Sequence, residues 1–168
     1  GSFGAAAYSL SLTGLPSGTT IYYRAYATNP TGTGYGGEQS FLTKPAAPTN
    51  IAATDGSDTA KVVVTWTQST GATGYKIYRD DALIDTVGAV ATYDDVGAGA
   101  PTITTGAAVA SDNTTLNVTL SVSGESANNG ASYAYKLKAI NATGDSADSN
   151  TDTGYRGASA LSYEWYRS

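Results

Sequence analysis

One strand-like segment occurs twice in this chain, and that repeat restricts the fold more than any other feature. The segment 18–32 (GTTIYYRAYATNPTG) aligns without a gap with 130–144 (GASYAYKLKAINATG), 112 positions further on. Apolar residues fall on odd-numbered positions in both copies, which is the period of a strand with one buried face. The sequence therefore predicts two copies of one β-module. The identical pairs are Gly18/Gly130, Tyr23/Tyr135, Ala27/Ala139, Asn29/Asn141, Thr31/Thr143 and Gly32/Gly144.

The composition also favours strands over helices. The 168 residues include 13 Tyr and 20 Gly, and 40% of the residues are hydrophobic, which is enough for a packed core. Aromatic and β-branched residues suit a pleated surface, while Gly, Asn and Asp mark turns. We therefore expect one or two all-β domains.

Several classes of function are excluded by what the chain lacks. It has no His and no Cys, which removes disulfides, thiol nucleophiles and imidazole ligands. Its net charge is −5, and its 9 basic residues are scattered, so we predict no nucleic-acid partner. No apolar run approaches the roughly 20 residues that cross a bilayer, so we predict no membrane insertion in this segment. An acidic, Cys-free, Thr-, Ser- and Gly-rich composition is typical of an exported prokaryotic protein, extracellular or on the cell surface. Because the chain has no Met, we expect it to be an excerpt of a longer protein.

The residues around both copies resemble the fibronectin type III family. Leu15–Asn29 resembles that family's E–F corner and F strand, with a Pro-Ser-Gly-Thr turn, an aromatic strand and Ala-x-Asn. The resemblance implies an antiparallel β-sandwich of the fibronectin type III or immunoglobulin-like kind, preceded by a partial N-terminal copy. It implies that Tyr133 keeps the family's corner bond from hydroxyl to backbone, while Ile21 loses it. The implied strands of the second copy are Ile51–Ala53, Val62–Trp66, Gly74–Arg79, Ala82–Val87, Leu116–Val122, Tyr133–Ala139 and Ala147–Gly154.

The resemblance divides the chain into three parts. Residues 1–44 would be the C-terminal part of one module (its strands E, F and G), and 45–157 a module with an insertion at about 96–112. Residues 158–168, with a Tyr-x-Trp pattern, would open an immunoglobulin-like module or form a tail. The joint Thr43–Pro48 is stiffened by proline. Because the first part lacks a core Trp, we predict that 3–42 either packs against the second module or is poorly protected.

One exposed face is a candidate for ligand binding. Tyr22, Arg24 and Tyr26 fall on the even, outward side of the first repeated strand. Two tyrosines on one face can stack on a sugar ring, although outward Tyr also serves to pair across strands. Asn113, Asn117 and Asn141 begin Asn-x-Thr sequons and are candidate glycan attachment sites.

The acidic residues point to turns rather than to chemistry. Asp55–Asp58, Asp80–Asp81 and Asp94–Asp95 lie beside Gly, Ser or strand ends, where Asp side chains bind the local backbone. Calcium is the alternative because it takes carboxylate oxygens, but no loop has the spacing of a known calcium site. We therefore predict no catalytic, cofactor-binding or metal-ligating residue and no cofactor.

The predicted function is structural. We expect a non-enzymatic spacer that presents other domains of a secreted or surface protein, with neighbouring modules of the same chain as partners. Any affinity would lie on the end loops Thr70–Gly74 or Ala142–Asp148. The alternatives are adhesion to polysaccharide or to a surface protein, and an accessory role in a secreted polysaccharide-degrading enzyme.

Overall fold

A computed structural model describes residues 9–99, 102–104, 108–110, 116–118, 121–123 and 130–157. Within these ranges every regular element is a β-strand, and there is no helix of the length and apolarity that a membrane crossing requires. The strands are β1 (Thr20–Tyr23), β2 (Tyr26–Asn29), β3 (Gly32–Tyr35), β4 (Gln39–Leu42), β5 (Thr49–Ala53), β6 (Val62–Thr67), β7 (Gly74–Arg79), β8 (Ala82–Gly88), β9 (Thr92–Asp95), β10 (Thr102–Thr104), β11 (Ala108–Ala110), β12 (Leu116–Val118), β13 (Ser121–Ser123), β14 (Tyr133–Asn141), β15 (Gly144–Asp145) and β16 (Asp152–Gly154).

Two antiparallel sheets form a sandwich in the second half of the chain. One sheet has the order β5-β6-β9, and the other has the order β15-β14-β7-β8, with β16 also paired to β14. The hairpin between β7 and β8 turns at Asp80 and Asp81, whose φ angles of 47° and 66° suit short polar side chains. This is the antiparallel sandwich of the fibronectin type III and immunoglobulin-like kind, and the predicted fold class is confirmed.

Alternating residues of the two sheets close the core, as the period of the repeated strand predicts. In β14 the odd positions Tyr135, Leu137 and Ala139 have no exposed surface, and the even positions between them are half-buried. Trp66 of β6 meets Tyr75 of β7 edge-on, with ring centroids 5.2 Å apart. Such aromatic pairs stabilise the fold by about 0.5–1.5 kcal/mol beyond the contribution from burying their apolar surface. The buried core is Val62, Val64, Trp66, Tyr75, Ile77, Ala98, Tyr135, Leu137 and Ala139.

The strand that precedes the E–F corner is not where the alternating pattern placed it. The sequence predicts it at Leu116–Val122, but the strand that pairs with β6 is β9, in the register Val62↔Asp95 to Thr65↔Thr92. The later strands pair with one another, β10 with β13 and β11 with β12. Alternation shows that a segment is a strand but not which strand it pairs with. The described strands between Thr102 and Ser123 therefore lie outside the two sheets of the sandwich.

The last predicted strand, Ala147–Gly154, is regular only at its end. β16 begins at Asp152, and the chain before it is held to β14 through serine side chains. The hydroxyls of Ser146 and Ser149 accept hydrogen bonds from the backbone N–H groups of Ala139 and Leu137, at 3.0 and 2.9 Å. These hydroxyls thus take the place of the carbonyl acceptors that a neighbouring strand would supply, because Ser side chains readily form hydrogen bonds with nearby backbone.

The first repeated strand is interrupted, whereas its second copy is continuous. On the two sides of the break, Tyr23 pairs with Gln39 and Tyr26 pairs with Tyr35. The step is three residues from Tyr23 to Tyr26 but four residues from Tyr35 to Gln39. One extra residue on one strand is the mark of a β-bulge. It lies between Gly36, whose N–H still donates to the Ala25 carbonyl at 2.8 Å, and Gln39. The strands β1–β4 therefore form one long, bulged hairpin, which we call the N-terminal hairpin (residues 18–42).

Candidate binding surfaces

The turns that close the two repeated strands have the same geometry. In the first copy, the Asn29 side-chain oxygen accepts hydrogen bonds from the N–H groups of Thr31 and Gly32, at 2.9 and 3.1 Å. In the second copy, Asn141 accepts from the N–H of Thr143 at 2.9 Å. An Asn that bonds its own backbone two residues on makes a tight turn without help from the rest of the fold. The shared Asn-x-Thr-Gly sequence therefore specifies a shared turn.

An aromatic and cationic cluster lies on the outer part of the N-terminal hairpin. The Arg24 guanidinium lies 4.2 Å from the ring centroid of Tyr35, and the Tyr26 and Tyr35 rings are 6.1 Å apart. Tyr26 is 71% exposed and Tyr35 is also exposed. A guanidinium over a ring is attracted by its π-electrons, by about 0.5–1 kcal/mol at exposed sites. The contact places an exposed guanidinium beside two exposed aromatic rings.

The structure brings together two of the three predicted face residues and adds a third. Tyr22 belongs to β1, opposite Ser40, and no aromatic or cation–π contact joins it to this cluster in the described residues. Tyr35 takes its place because Tyr26↔Tyr35 is a register pair of the β2–β3 hairpin. Tyr35 could have been identified from the sequence, because a turn that pairs Asn29 with Gly32 also pairs Tyr26 with Tyr35 in the same register.

A shallow apolar groove lies at the other end of the hairpin. Tyr23 is 50% exposed and contacts Phe41 edge-on, with ring centroids 6.1 Å apart. In the second copy the matching residue, Tyr135, is covered by the opposite sheet and has no exposed surface. The first copy thus presents to solvent a face that the second copy buries. A groove of about 270 Å³ is lined by Leu10, Leu12, Leu15, Tyr23 and Phe41.

The end loops predicted to bind a partner lie against the N-terminal part of the chain. A β-carbon on Gly71 would lie 2.0 Å from the carbonyl oxygen of Gly18, so the two backbones are in direct contact. The Thr143 hydroxyl donates to the carbonyl of Leu42 at 2.8 Å. The loops Thr70–Gly74 and Ala142–Asp148 are therefore partly covered within this chain.

The three candidate glycan sites differ in what the structure says of them. Asn141 is only 9% exposed, and its side-chain nitrogen donates to the Thr43 carbonyl oxygen at 2.9 Å. Attachment of a glycan to that nitrogen would require the contact to open. Asn117 is opposite Val109 in the β11–β12 pair. Asn113 lies outside the described residues.

The predicted acidic pairs take part in structural bonds. Asp58 accepts from the N–H of Ala60 at 2.7 Å, and Asp80 accepts from the N–H of Ala134 at 2.8 Å. Asp94 pairs with Lys61 at 2.7 Å on the surface. Among the described residues, no three acidic side chains are grouped as metal ligands would be.

Asp95 is the centre of a buried polar network. Its carboxylate is 3% exposed and accepts hydrogen bonds from Arg79 at 2.8 and 3.0 Å, from the Tyr135 phenol at 2.8 Å and from the Gly97 N–H at 2.9 Å. Burial raises the pKa of Tyr135 far above its usual value, and the bond to Asp95 raises it further. Each group in this network is directed at another group of the protein.

This chain is similar in part to proteins of known sequence and structure. No family model matches it. Over 112 residues, or 67% of its length, it is 31% identical to the amylopullulanase of Thermoanaerobacterium saccharolyticum, and it spans only 7% of that protein. An Fn3-like protein from Clostridium thermocellum matches with a TM-score of 0.42 and 20% identity, over 71% of this chain and 98% of that one. Domains d3–d4 of the rat CD45 extracellular region match with a TM-score of 0.39 and 10% identity, over 92% and 73%.

Proposed function

We propose that this chain is a non-catalytic spacer and presentation module of a secreted or cell-surface multidomain protein. Its similarity to a small part of an amylopullulanase supports an accessory place in a polysaccharide-degrading enzyme. The sandwich supports the spacer role, because a close-packed core has low compressibility. Neighbouring modules of the same chain are the proposed partners.

The observation that carries this proposal is that the buried polar residues of the described part of the chain, Asp95, Asn141 and Ser146, are hydrogen-bonded within the fold. Asp95 accepts from a guanidinium and a phenol, Asn141 donates to a backbone carbonyl, and Ser146 accepts from a backbone N–H. A general acid or base has to present its proton to a substrate. Since these groups are directed at the protein, they stabilise the fold instead.

A fusion experiment tests the spacer role. The chain is placed between two fluorescent proteins, and energy transfer is followed in rising urea beside a Gly/Ser linker of equal length. We expect a constant transfer efficiency up to the unfolding midpoint that tryptophan emission of the unfused chain reports, while the linker control changes gradually. A gradual change in both fusions would contradict the proposal, and so would release of reducing ends from starch or pullulan by the purified chain.

A second function, polysaccharide binding, is favoured by the cluster of Arg24, Tyr26 and Tyr35. Its rings are exposed, and Arg24 lies against one of them. Aromatic faces with a nearby donor are suited to sugar rings, whose C–H faces are apolar and whose hydroxyls accept hydrogen bonds.

Retention of the protein on insoluble starch tests this second function. Tyr26→Ala and Tyr35→Ala should each reduce retention at least tenfold if the cluster binds glucan. Tyr22→Ala is the matched control, since this Tyr is equally exposed but outside the cluster. Equal loss in all three variants, or no retention of the parent protein, would rule the cluster out.

A further inference from the structure

The joint between the N-terminal hairpin and the sandwich begins with Thr43, which belongs structurally to the hairpin. Its N–H donates to the Thr19 carbonyl at 3.0 Å, and its hydroxyl donates to the Pro16 carbonyl at 2.7 Å. The Thr43 hydroxyl also accepts from the N–H of Thr19 at 2.9 Å. Thr43 is therefore fixed to the hairpin by side chain and backbone, and its own carbonyl oxygen remains for another partner.

The sandwich supplies that partner from the turn after β14. Asn141 donates to the Thr43 carbonyl oxygen at 2.9 Å, and Thr143 donates to the carbonyl of the preceding residue, Leu42, at 2.8 Å. Gly18 and Gly71 bring their backbones into contact beside these bonds. Pro45 and Pro48, which follow in the joint, are buried. Two successive carbonyls of the hairpin are thus bound by two side chains of one turn.

We propose that this end of the sandwich is a docking surface for the hairpin that precedes it, and that Asn141 and Thr143 fix the direction in which the hairpin projects. Asn141 is nearly buried, so breaking its bond to Thr43 leaves that carbonyl without this donor and leaves the Asn141 amide with only the longer bond to the Gly71 carbonyl, at 3.4 Å. A proline-containing joint limits the chain's freedom but does not choose one angle, whereas two directed bonds do. The inference goes beyond the spacer role, because it holds whether or not the chain presents another domain.

The first copy of the turn shows that these bonds are separate from the turn itself. Asn29 accepts from the N–H of Thr31, as Asn141 accepts from the N–H of Thr143, and also from the N–H of Gly32. Yet Asn29 is exposed, and no acceptor binds its side-chain nitrogen among the described residues. The turn therefore forms without a docked segment, and Asn29 with Thr31 provides a matched control for Asn141 with Thr143.

Distances between two spin labels test the proposal. The chain has no Cys, so Ser40→Cys in the hairpin and Thr86→Cys in β8 place nitroxides at two exposed positions only. The parent protein should give one narrow distance distribution. Asn141→Ala combined with Thr143→Val should broaden that distribution at least twofold, and Asn29→Ala combined with Thr31→Val should leave it narrow.

Two results would overturn the proposal: a distribution in the parent as broad as in the Asn141 variant, or a narrow one in both variants. Tryptophan emission in a Trp165→Phe background, where Trp66 is the one tryptophan left, checks that the sandwich is folded in each sample, because Trp66 lies in the core. If the double variant does not fold, Thr143→Val alone removes the bond to Leu42 and leaves Asn141 in place. An unchanged distribution in that folded variant would then contradict the role of Thr143.

Discussion

Tyr135 donates a hydrogen bond from its phenol to Asp95 at 2.8 Å, and both side chains are shielded from solvent. Arg79 reaches the same carboxylate from the other side and also lies over the Tyr133 ring at 5.0 Å. A buried carboxylate is tolerated only when its charge is paired and its oxygens accept hydrogen bonds. The network therefore links strands of both sheets at one edge of the core.

Replacing Asp95 by Ala should destabilise the sandwich strongly. The change leaves the Arg79 charge and the Tyr135 phenol without their partner, and breaking a buried pair costs about 3–5 kcal/mol. Urea denaturation measures the loss. Asp94→Ala is the control, because the Asp94–Lys61 pair is exposed and such pairs contribute about 0–1 kcal/mol. Similar losses in the two variants would contradict a special role for Asp95.

Alkaline pH should destabilise the parent more steeply than Tyr135→Phe. The Tyr135 pKa is raised in the folded protein, by burial first and then by the bond to Asp95, while the unfolded phenol titrates near its ordinary value of about 10. Its contribution to stability is therefore complete below that pH and is lost as pH rises above it. Between pH 10 and 11 the parent should lose about 1 kcal/mol more stability than Tyr135→Phe, because the unfolded phenol is half ionised at pH 10 and mostly ionised at pH 11. Parallel curves from urea melts would contradict this.

Tyr133→Phe should cost more than Tyr78→Phe. The Tyr133 hydroxyl accepts from the N–H of Gly99 at 3.1 Å, which is the corner bond expected from the family resemblance. Removing it leaves that N–H without its partner, at a cost of about 1–2 kcal/mol. The Tyr78 hydroxyl has no such bond among the described residues, so its loss should change stability by less than about 0.5 kcal/mol. Thermal melts of the two variants give the comparison.

The buried face of a strand could be predicted where the local residue pattern alone determines it. The odd-numbered face of β14 was predictable because a strand buried on one face has a strict period of two, and Tyr135 and Leu137 follow it. The pairing of β9 with β6 was not predictable, because register between distant strands depends on the whole sheet. Thr92–Asp95 has only one large apolar residue, Tyr93, and so gave a weak signal.

The candidate surfaces were harder to predict than the fold. Tyr26 and Arg24 were identified from their face, but Tyr35 required the register of the hairpin, and Tyr22 was separated by a bulge. The predicted glycan site Asn141 begins a sequon, but in the structure its side-chain nitrogen is already hydrogen-bonded to the Thr43 carbonyl. A sequon is a pattern of three consecutive residues, whereas the burial of its Asn depends on which distant residues pack against the turn.

Gly71→Ala should perturb the joint, and Gly14→Ala should not. Both glycines have positive φ, at 69° and 71°, so the backbone cost of adding a β-carbon is the same, about 1 kcal/mol. Only at Gly71 would the new atom lie 2.0 Å from the Gly18 carbonyl oxygen, while at Gly14 nothing lies within 4 Å. Because the hairpin would have to move, amide exchange at Gly18, which donates to the Lys44 carbonyl at 2.8 Å, should become at least tenfold faster in Gly71→Ala. Equal exchange at Gly18 in the two variants would show that the backbone contact does not hold the joint.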